Sequence, residues 1–206
     1  EKSTTVRVGV VGAANQAQGG QRRFDEHYEE GVLLKGGQRA RLHMLVPGDR
    51  RIFVEGFRAM SSRSRFQRFF TAKTDLSELE IAYLTEPDGE NHVAIAAACL
   101  RPDGELEGLG VARFVRTPED PRVAEPAVSV VDACQGKGLG RALMERLVEA
   151  ARERGIEELR CTVLPFNQPM LAIFRGLPEA STRHVGGIVE VSLALNTSIR
   201  LPSKQP

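Results

Sequence analysis

The sequence contains no apolar run that approaches the roughly 20 residues of a membrane-spanning helix. Its first residues, EKSTTVRV, lack the charged region and the apolar region of a secretory signal peptide. From these two absences we expect a soluble protein of the cytoplasm that has no membrane partner.

Cysteine and histidine are both scarce. The three cysteines, Cys99, Cys134 and Cys161, show no C-x-x-C spacing, and the four histidines contain no H-x-x-x-H pair. Each cysteine lies in or beside an apolar run, which is typical of small buried side chains in a reducing compartment. We therefore expect neither a disulfide framework nor a metal site.

An excess of charge of one sign is also missing. The 28 Lys and Arg residues face 27 Asp and Glu residues, which leaves a formal net charge of +1. Nucleic-acid binding over a broad surface needs a positive field that this composition does not supply. The one locally basic stretch is SRSRFQRFF at 62–70. We expect its phenylalanines in the core and its arginines on a solvated or acceptor-facing rim, with no nucleic-acid partner.

The apolar patterns that are present predict one domain of class α/β (α+β). The 206 residues, 41% of them hydrophobic, are enough for one well-packed core. Strand patterns lie at 40–45, 92–100, 109–115, 127–131, 159–165 and 186–195, and helix patterns at 50–60, 76–84, 139–155 and 168–174. Early strand pairs followed by a strand-helix-strand unit predict a mixed sheet with helices on its faces.

A glycine-rich loop joins the strand pattern at 127–131 to the strongest helix pattern. Gly136, Gly138 and Gly140 supply three glycines in five positions. Lys137 is followed by glycine, so the nucleotide motif G-x-x-x-x-G-K-[ST] is not matched, and the spacing also differs from the dinucleotide motif G-x-G-x-x-G. Two explanations remain, a plain turn and a pyrophosphate site at the helix N-terminus, and the glycine content favours the second.

The loop QGKGLG at 135–140 resembles the Q/R-x-x-G-x-G/A motif of the GNAT superfamily of N-acetyltransferases. Four more stretches resemble that superfamily in the same order, namely GGQRARLHMLVPGD, MSSRSRFQRFF, LPFNQPML and GGIVEVSLAL. The resemblance covers about residues 36 to 196 and points to the branch that contains bacterial protein lysine acetyltransferases. It implies the GNAT fold, with a mixed, mostly antiparallel sheet of about six to seven strands and helices on both faces.

The resemblance also implies a domain division, an N-terminal arm at 1–36, a GNAT domain at 37–197 and a C-terminal tail at 198–206. Its implied cosubstrate is acetyl-CoA, without a metal, and a homodimer is consistent with it. The strand residues would face the pantetheine, the amides of 136–141 would bind the pyrophosphate, and Asn167 would contact the cofactor arm from the next strand. The implied cofactor-binding residues are Val128, Ser129, Val130, Gln135, Gly136, Lys137, Gly138, Leu139, Gly140, Arg141 and Asn167.

The implied reaction is transfer of an acetyl group to a primary amine, a protein lysine or a small amine, by direct attack on the thioester. A lysine amine, with a pKa of about 10.4, is almost fully protonated at neutral pH, so a base is expected. By resemblance that base is Glu125, in VAEPAVSVV. Without the resemblance, Glu125 is a carboxylate at a strand entrance, where most carboxylates are solvated.

Two departures from the superfamily keep an alternative open. Phe174 stands where the superfamily usually has a tyrosine acid, although the lysine acetyltransferase branch commonly lacks that tyrosine. The following RGLPEAS makes the last helix about two residues short. The alternative is a non-catalytic acyl-CoA-binding module that regulates or senses, and a nucleotide-binding protein is a third, weaker option.

Overall fold

The computed structural model describes residues 22–195. Within them, the strands are β1 Glu29–Leu33, β2 Arg39–Met44, β3 His92–Leu100, β4 Leu106–Arg116, β5 Val123–Val130, β6 Glu158–Val163, β7 Ala180–Val185 and β8 Ile188–Ala194. The α-helices are α1 Arg50–Ala59, α2 Ser62–Phe69, α3 Glu78–Thr85, α4 Leu139–Glu153 and α5 Gln168–Arg175. Most of the predicted arm and the whole predicted tail at 198–206 lie outside the described residues.

All of these strands form one sheet in the order β1-β2-β3-β4-β5-β6-β8-β7. Every neighbouring pair is antiparallel except β5 and β6, which are parallel. The predicted mixed, mostly antiparallel GNAT sheet is therefore confirmed. Its strand number was predicted too low, because the described residues form eight strands and not six or seven.

The strands that the sequence did not reveal, β1 and β7, have weak apolar periods. In β1 the two inward positions are Val32 and the charged Glu30, so the usual apolar alternation is broken. The predicted arm boundary at residue 36 falls after this strand, although β1 belongs to the sheet. Strand β7 is polar and mostly exposed, and it pairs only with β8 through the turn at 186–187. A Gly-Gly turn is a hairpin signal even where the strand itself is polar.

Helices cover both faces of the sheet, as predicted. Val93 and Ile95 of β3 share one core cluster with Leu143 and Leu147 of α4. On the other face, Ala94 of β3 belongs to a cluster against which α1 packs. Because successive side chains of a strand point to opposite faces, β3 is buried on both sides and reads as a continuous apolar run.

The basic stretch at 62–70 differs from its prediction. It forms α2, in which the Ser61 hydroxyl caps the helix by accepting a hydrogen bond from the Ser64 N–H at 3.2 Å. Of its phenylalanines only Phe69 packs against the core, whereas Phe66 and Phe70 are 39% and 43% exposed. The helix therefore presents aromatic side chains to solvent as well as to the core.

A buried ion pair fixes β1 to α4. The Glu30 carboxylate accepts two hydrogen bonds of 2.8 Å from Arg146 and one of 2.9 Å from the Tyr28 hydroxyl. Burial acts to raise the pKa of Glu30, but the hydrogen bonds from Arg146 and Tyr28 outweigh it and hold the pKa below its ordinary value. A carboxyl group whose pKa is lower in the folded than in the unfolded state stabilises the folded state at pH values above its unfolded pKa. This stabilisation is lost as the pH falls through the folded pKa.

Glu30→Gln is expected to lower the free energy of unfolding at pH 7 by about 3 kcal/mol, because it removes the buried carboxylate that accepts two hydrogen bonds from Arg146 and leaves Arg146 only the more exposed Glu149. The matched control is Glu29→Gln on the same strand, whose pair with Arg41 is exposed; a change below about 0.5 kcal/mol is expected. Urea denaturation measures the loss of unfolding free energy in each variant. The difference between the two losses should shrink as the pH falls through the folded pKa of Glu30. Equal losses in the two variants would contradict this role of the buried pair.

Among residues 22–195, none of the helices combines the length and the apolar character that a bilayer crossing requires.

Candidate active site

Strands β5 and β6 pair over only two residues and then separate. The pairs are Val123 with Glu158 and Ala124 with Leu159, although β5 is eight residues long and β6 six. Beyond Ala124, no strand in the described part of the chain pairs with the backbone groups of β5 on that side. The gap is a cleft of about 380 Å³, lined by both strands and by the first residues of α4 and α5.

Helix α4 begins beside this cleft with an uncapped N-terminus. Its N-cap is Gly138, and within residues 22–195 no side-chain hydrogen bond caps the amides of the first turn. Such amides have no partner inside the helix, and together with the helix dipole they favour an anion. Gly138, Gly140 and Arg141 all line the cleft.

The three glycines of the loop are needed for different reasons. Gly136 and Gly138 have φ values of 70° and 94°, in the left-handed region that favours glycine. Gly140 is helical, but a Cβ there would lie 3.0 Å from Cδ1 of Ile173 in α5. A plain turn accounts for the first two glycines, whereas it does not account for amides that are left uncapped at the wall of a cleft.

Ten of the twelve predicted site residues line the cleft. They are Glu125, Val128, Ser129, Val130, Gln135, Gly136, Gly138, Gly140, Arg141 and Asn167. The other two do not line it: Leu139 is fully buried in the main core, and Lys137 contributes its backbone carbonyl, which accepts a hydrogen bond of 3.0 Å from the Lys35 N–H. Lys35, which the sequence did not suggest, is a cation that does line the cleft.

A polar cluster anchors the loop to α2. Asp132 accepts hydrogen bonds from the Ser61 N–H and hydroxyl, both at 2.8 Å, and from the Ser64 hydroxyl at 2.9 Å. Burial acts to raise the pKa of Asp132, but these hydrogen bonds outweigh it and hold the pKa below its ordinary value. Gln135 donates to the Ser64 hydroxyl and to the Val130 carbonyl, both at 3.1 Å, so it positions the loop as well as lining the cleft.

Two predicted contacts are placed differently from expectation. Asn167 does not lie on β6 but caps α5, where its Oδ1 accepts a hydrogen bond of 3.3 Å from the Met170 N–H. Arg141 lies at the cleft, yet its Nε donates to Glu145 at 2.8 Å in an exposed pair. An exposed pair of this kind contributes only a few tenths of a kcal/mol, so Arg141 can exchange its partner at little cost.

Glu125 and Phe174 bear on the chemistry. Glu125 lies on β5, exposed and at the cleft wall, so its carboxylate is open to a bound molecule. Phe174 is fully buried on α5, a helix of eight residues, and carries no hydroxyl. The position that usually holds the superfamily's acid is therefore a core position here.

A second, smaller cavity adjoins the cleft. It measures about 60 Å³ and shares Met60, Arg68 and Ser129 with the cleft wall. Its lining is apolar apart from Ser129 and two arginines, Arg68 and Arg113. Arg113 was not predicted from the sequence, although an arginine between Val111 and Val115 on one face of a buried strand was the available signal.

In the part of the chain that the structure describes, no three histidine, cysteine or acidic side chains come together in a way that could hold a metal ion.

Comparison with known proteins gives consistent matches. The model of the acetyltransferase (GNAT) family matches residues 50–177. The curated protein Acetyltransferase Pat of Mycolicibacterium smegmatis is 30% identical over 159 residues, which are 77% of this chain and 46% of that protein. The chain thus spans about half the length of this relative.

Solved structures agree with the fold. The GNAT domain of PAT from S. lividans superposes with a TM-score of 0.73 at 30% identity, covering 84% of this chain and 99% of that one. The structure of yncA from Salmonella typhimurium with its cofactor acetyl-CoA has a TM-score of 0.62 at 17% identity, covering 81% and 99%, and shows likeness of fold alone. The family match, the cleft between β5 and β6 and the uncapped α4 together establish that this chain belongs to the acetyltransferase (GNAT) family.

Proposed function

We propose that this chain transfers the acetyl group of acetyl-CoA to a primary amine. The observation that carries the proposal is the cleft, which has unpaired backbone groups along β5, uncapped amides at α4 and an exposed carboxylate, Glu125, at its wall. Acetyl-CoA contains an extended amide chain, an anionic pyrophosphate and a reacting carbonyl. Its binding therefore needs these three features, respectively, in one continuous space. The family match supports the same donor.

The donor would lie along β5. The backbone groups of Val128 to Val130 have no partner on β6, and apart from the Val130 carbonyl, which accepts from Gln135, they would form hydrogen bonds with the pantetheine amides. The first-turn amides of α4 would bind the pyrophosphate. Lys35 and Arg141, two of the three cations that line the cleft, would add charge attraction to the phosphates.

The acetyl group would move in one displacement. The amine nitrogen attacks the thioester carbonyl carbon, the new C–N bond forms and the C–S bond breaks. The amine proton passes to Glu125, directly or through water, and CoA leaves as a thiolate. Because a thiol has a pKa of about 8.5, the thiolate is a good leaving group, and no tyrosine is needed at the position of Phe174.

The buried Phe174 favours a second candidate, an acyl-CoA-binding module without catalysis. The two functions differ in turnover. We expect the protein to release free CoA from acetyl-CoA only when an amine is present, with an equal amount of N-acetyl product by mass spectrometry. The acceptors to test are small amines and lysine-containing proteins. Tight acetyl-CoA binding without release for any acceptor would support the module and contradict the proposed enzyme.

A further inference from the structure

Two arginines lie at the junction of the cleft and the smaller cavity. The smaller cavity is enclosed mainly by side chains of α1, β3 and β4, and Arg68 and Arg113 are its only charged lining residues. Its volume of about 60 Å³ is enough for a few water molecules or one carboxylate. It is too small for a folded segment of another protein.

Arg113 is buried without a counterion. Its side chain is 4% exposed, and Nη1 donates to the Leu84 carbonyl and to His92 Nε2, each at 3.0 Å. Its Nη2 is buried and has no hydrogen-bond partner among residues 22–195. His92 does not compensate this charge, because burial and the nearby Arg113 lower the pKa of His92 to about 4 and keep the ring neutral.

Arg68 brings a second positive charge to the same place. Burial lowers the pKa of Arg68, and burial together with the charge of Arg68 lowers the pKa of Arg113 to about 9. Glu125 is the carboxylate whose charge acts on Arg68, where it partly offsets the effect of burial on the pKa, and no carboxylate is among the described groups that shift the pKa of Arg113. Buried charges in folded proteins are normally paired, so this arrangement is unfavourable until an anion binds.

The sheet register places these arginines beside the proposed base. Arg113 pairs with Ala127 and Val115 pairs with Glu125, so Glu125 and Arg113 project from the same face as diagonal neighbours on adjacent strands. Diagonal neighbours lie roughly 7 to 8 Å apart at their Cα atoms. A molecule whose amine lies at Glu125 can therefore reach the arginines with a second group that is only a few bonds away from that amine.

We propose that Arg68 and Arg113 bind a carboxylate of the acceptor, and that the acceptor is a small amino acid. The inference rests on the proposed acetyl transfer and names its substrate class. A carboxylate would give Nη2 of Arg113 its missing partner and compensate one of the two positive charges. A protein lysine has no anionic group to offer them, and its own positive charge would be repelled before deprotonation.

The test compares each amino acid with its carboxamide at saturating acetyl-CoA. The probes are glycine, β-alanine and 4-aminobutyrate, their carboxamides, and an end-blocked peptide with one lysine. Values of kcat/KM are expressed per neutral amine, which removes differences in amine pKa. We expect at least one amino acid to exceed its carboxamide by about tenfold or more. A ratio near one for every pair, or a peptide better than every amino acid, would overturn the inference.

Variants connect the preference to the arginines. Arg113→Met and Arg68→Met should each bring the ratio of amino acid to carboxamide close to one. The matched control is Arg63→Gln, an exposed arginine on the same helix as Arg68 that lines neither cavity, and it should keep the wild-type ratio. Arg113→Met is at risk of misfolding because Arg113 is buried. If that variant does not fold, the ratio measured for Arg68→Met decides the test. A ratio that both variants keep would overturn the inference.

Failure of the proposed function gives a different result. If no amine is acetylated, the enzyme proposal fails, and calorimetric titration of the acetyl-CoA-saturated protein decides the carboxylate site. Tighter binding of an amino acid than of its carboxamide, abolished in Arg68→Met, would support the site. Equal binding of each pair would overturn it.

Discussion

Glu125→Gln is expected to lower kcat/KM for amine acetylation by about a hundredfold or more, with the dissociation constant of acetyl-CoA unchanged. A glutamine keeps the size and hydrogen-bonding shape of the side chain but cannot take the proton that the attacking amine must lose. The exposed position of Glu125 at the cleft wall leaves its carboxylate free to act, directly or through water. Initial rates of CoA release, combined with equilibrium binding of acetyl-CoA, measure the two quantities separately.

The matched control is Glu119→Gln in the loop between β4 and β5. Glu119 is also an exposed carboxylate near β5, but it does not line the cleft. Its replacement removes the same charge from the same end of the sheet, so a general electrostatic effect would appear in both variants. A Glu125→Gln protein that keeps the wild-type rate would remove Glu125 from the mechanism.

Gly138→Ala is expected to weaken acetyl-CoA binding by about thirtyfold, equivalent to about 2 kcal/mol. Gly138 has a φ of 94° at the N-cap of α4, and an alanine in that conformation is strained by about 1 to 2 kcal/mol. The loop can relieve this strain only by turning the first amides of α4 away from the cleft. Isothermal titration with acetyl-CoA measures the loss, and ADP as a competitor reports the phosphate end alone.

The same helix supplies a control for the strain itself. Gly155 follows the C-terminus of α4 with a φ of 69°, and a Cβ there would also meet nothing within 4 Å. Gly155→Ala should therefore lower the unfolding free energy about as much as Gly138→Ala while leaving acetyl-CoA binding unchanged. Equal loss of binding in both variants would mean that the effect comes from instability and not from the amides.

The part of the cleft that we assign to the donor could be predicted from the sequence because its residues are close together in the chain. A strand, a glycine-rich loop and an amphipathic helix follow one another within residues 123–153. Gly136, Gly138 and Gly140 mark the positions at which the loop requires a residue without a Cβ. Asn167 shows the limit of this reasoning. It lines the cleft, but whether it ended β6 or capped α5 depends on a boundary that composition does not define.

The pair of arginines that we assign to the acceptor could not be predicted from the sequence, because the two residues are far apart in the chain. Arg68 and Arg113 are 45 positions apart, and they meet only because α2 lies against the face of the sheet from which Arg113 projects. From the sequence alone, Arg68 was one of several arginines in a basic stretch and Arg113 was a single interruption of a strand. That no carboxylate among residues 22–195 is paired with Arg113 is likewise a property of the folded chain.

The short pairing of β5 with β6 has a consequence for the acyl chain of the donor. Only the pairs at Val123 and Ala124 hold these strands in register, so the cleft beyond them can widen without breaking ladder hydrogen bonds between the two strands. A propionyl or butyryl thioester would therefore be resisted by the packing of side chains such as Val128, Val163 and Ile173, and not by the backbone. The acyl length that this cleft accepts is thus set by a few apolar side chains, which can be exchanged without altering the order of the sheet.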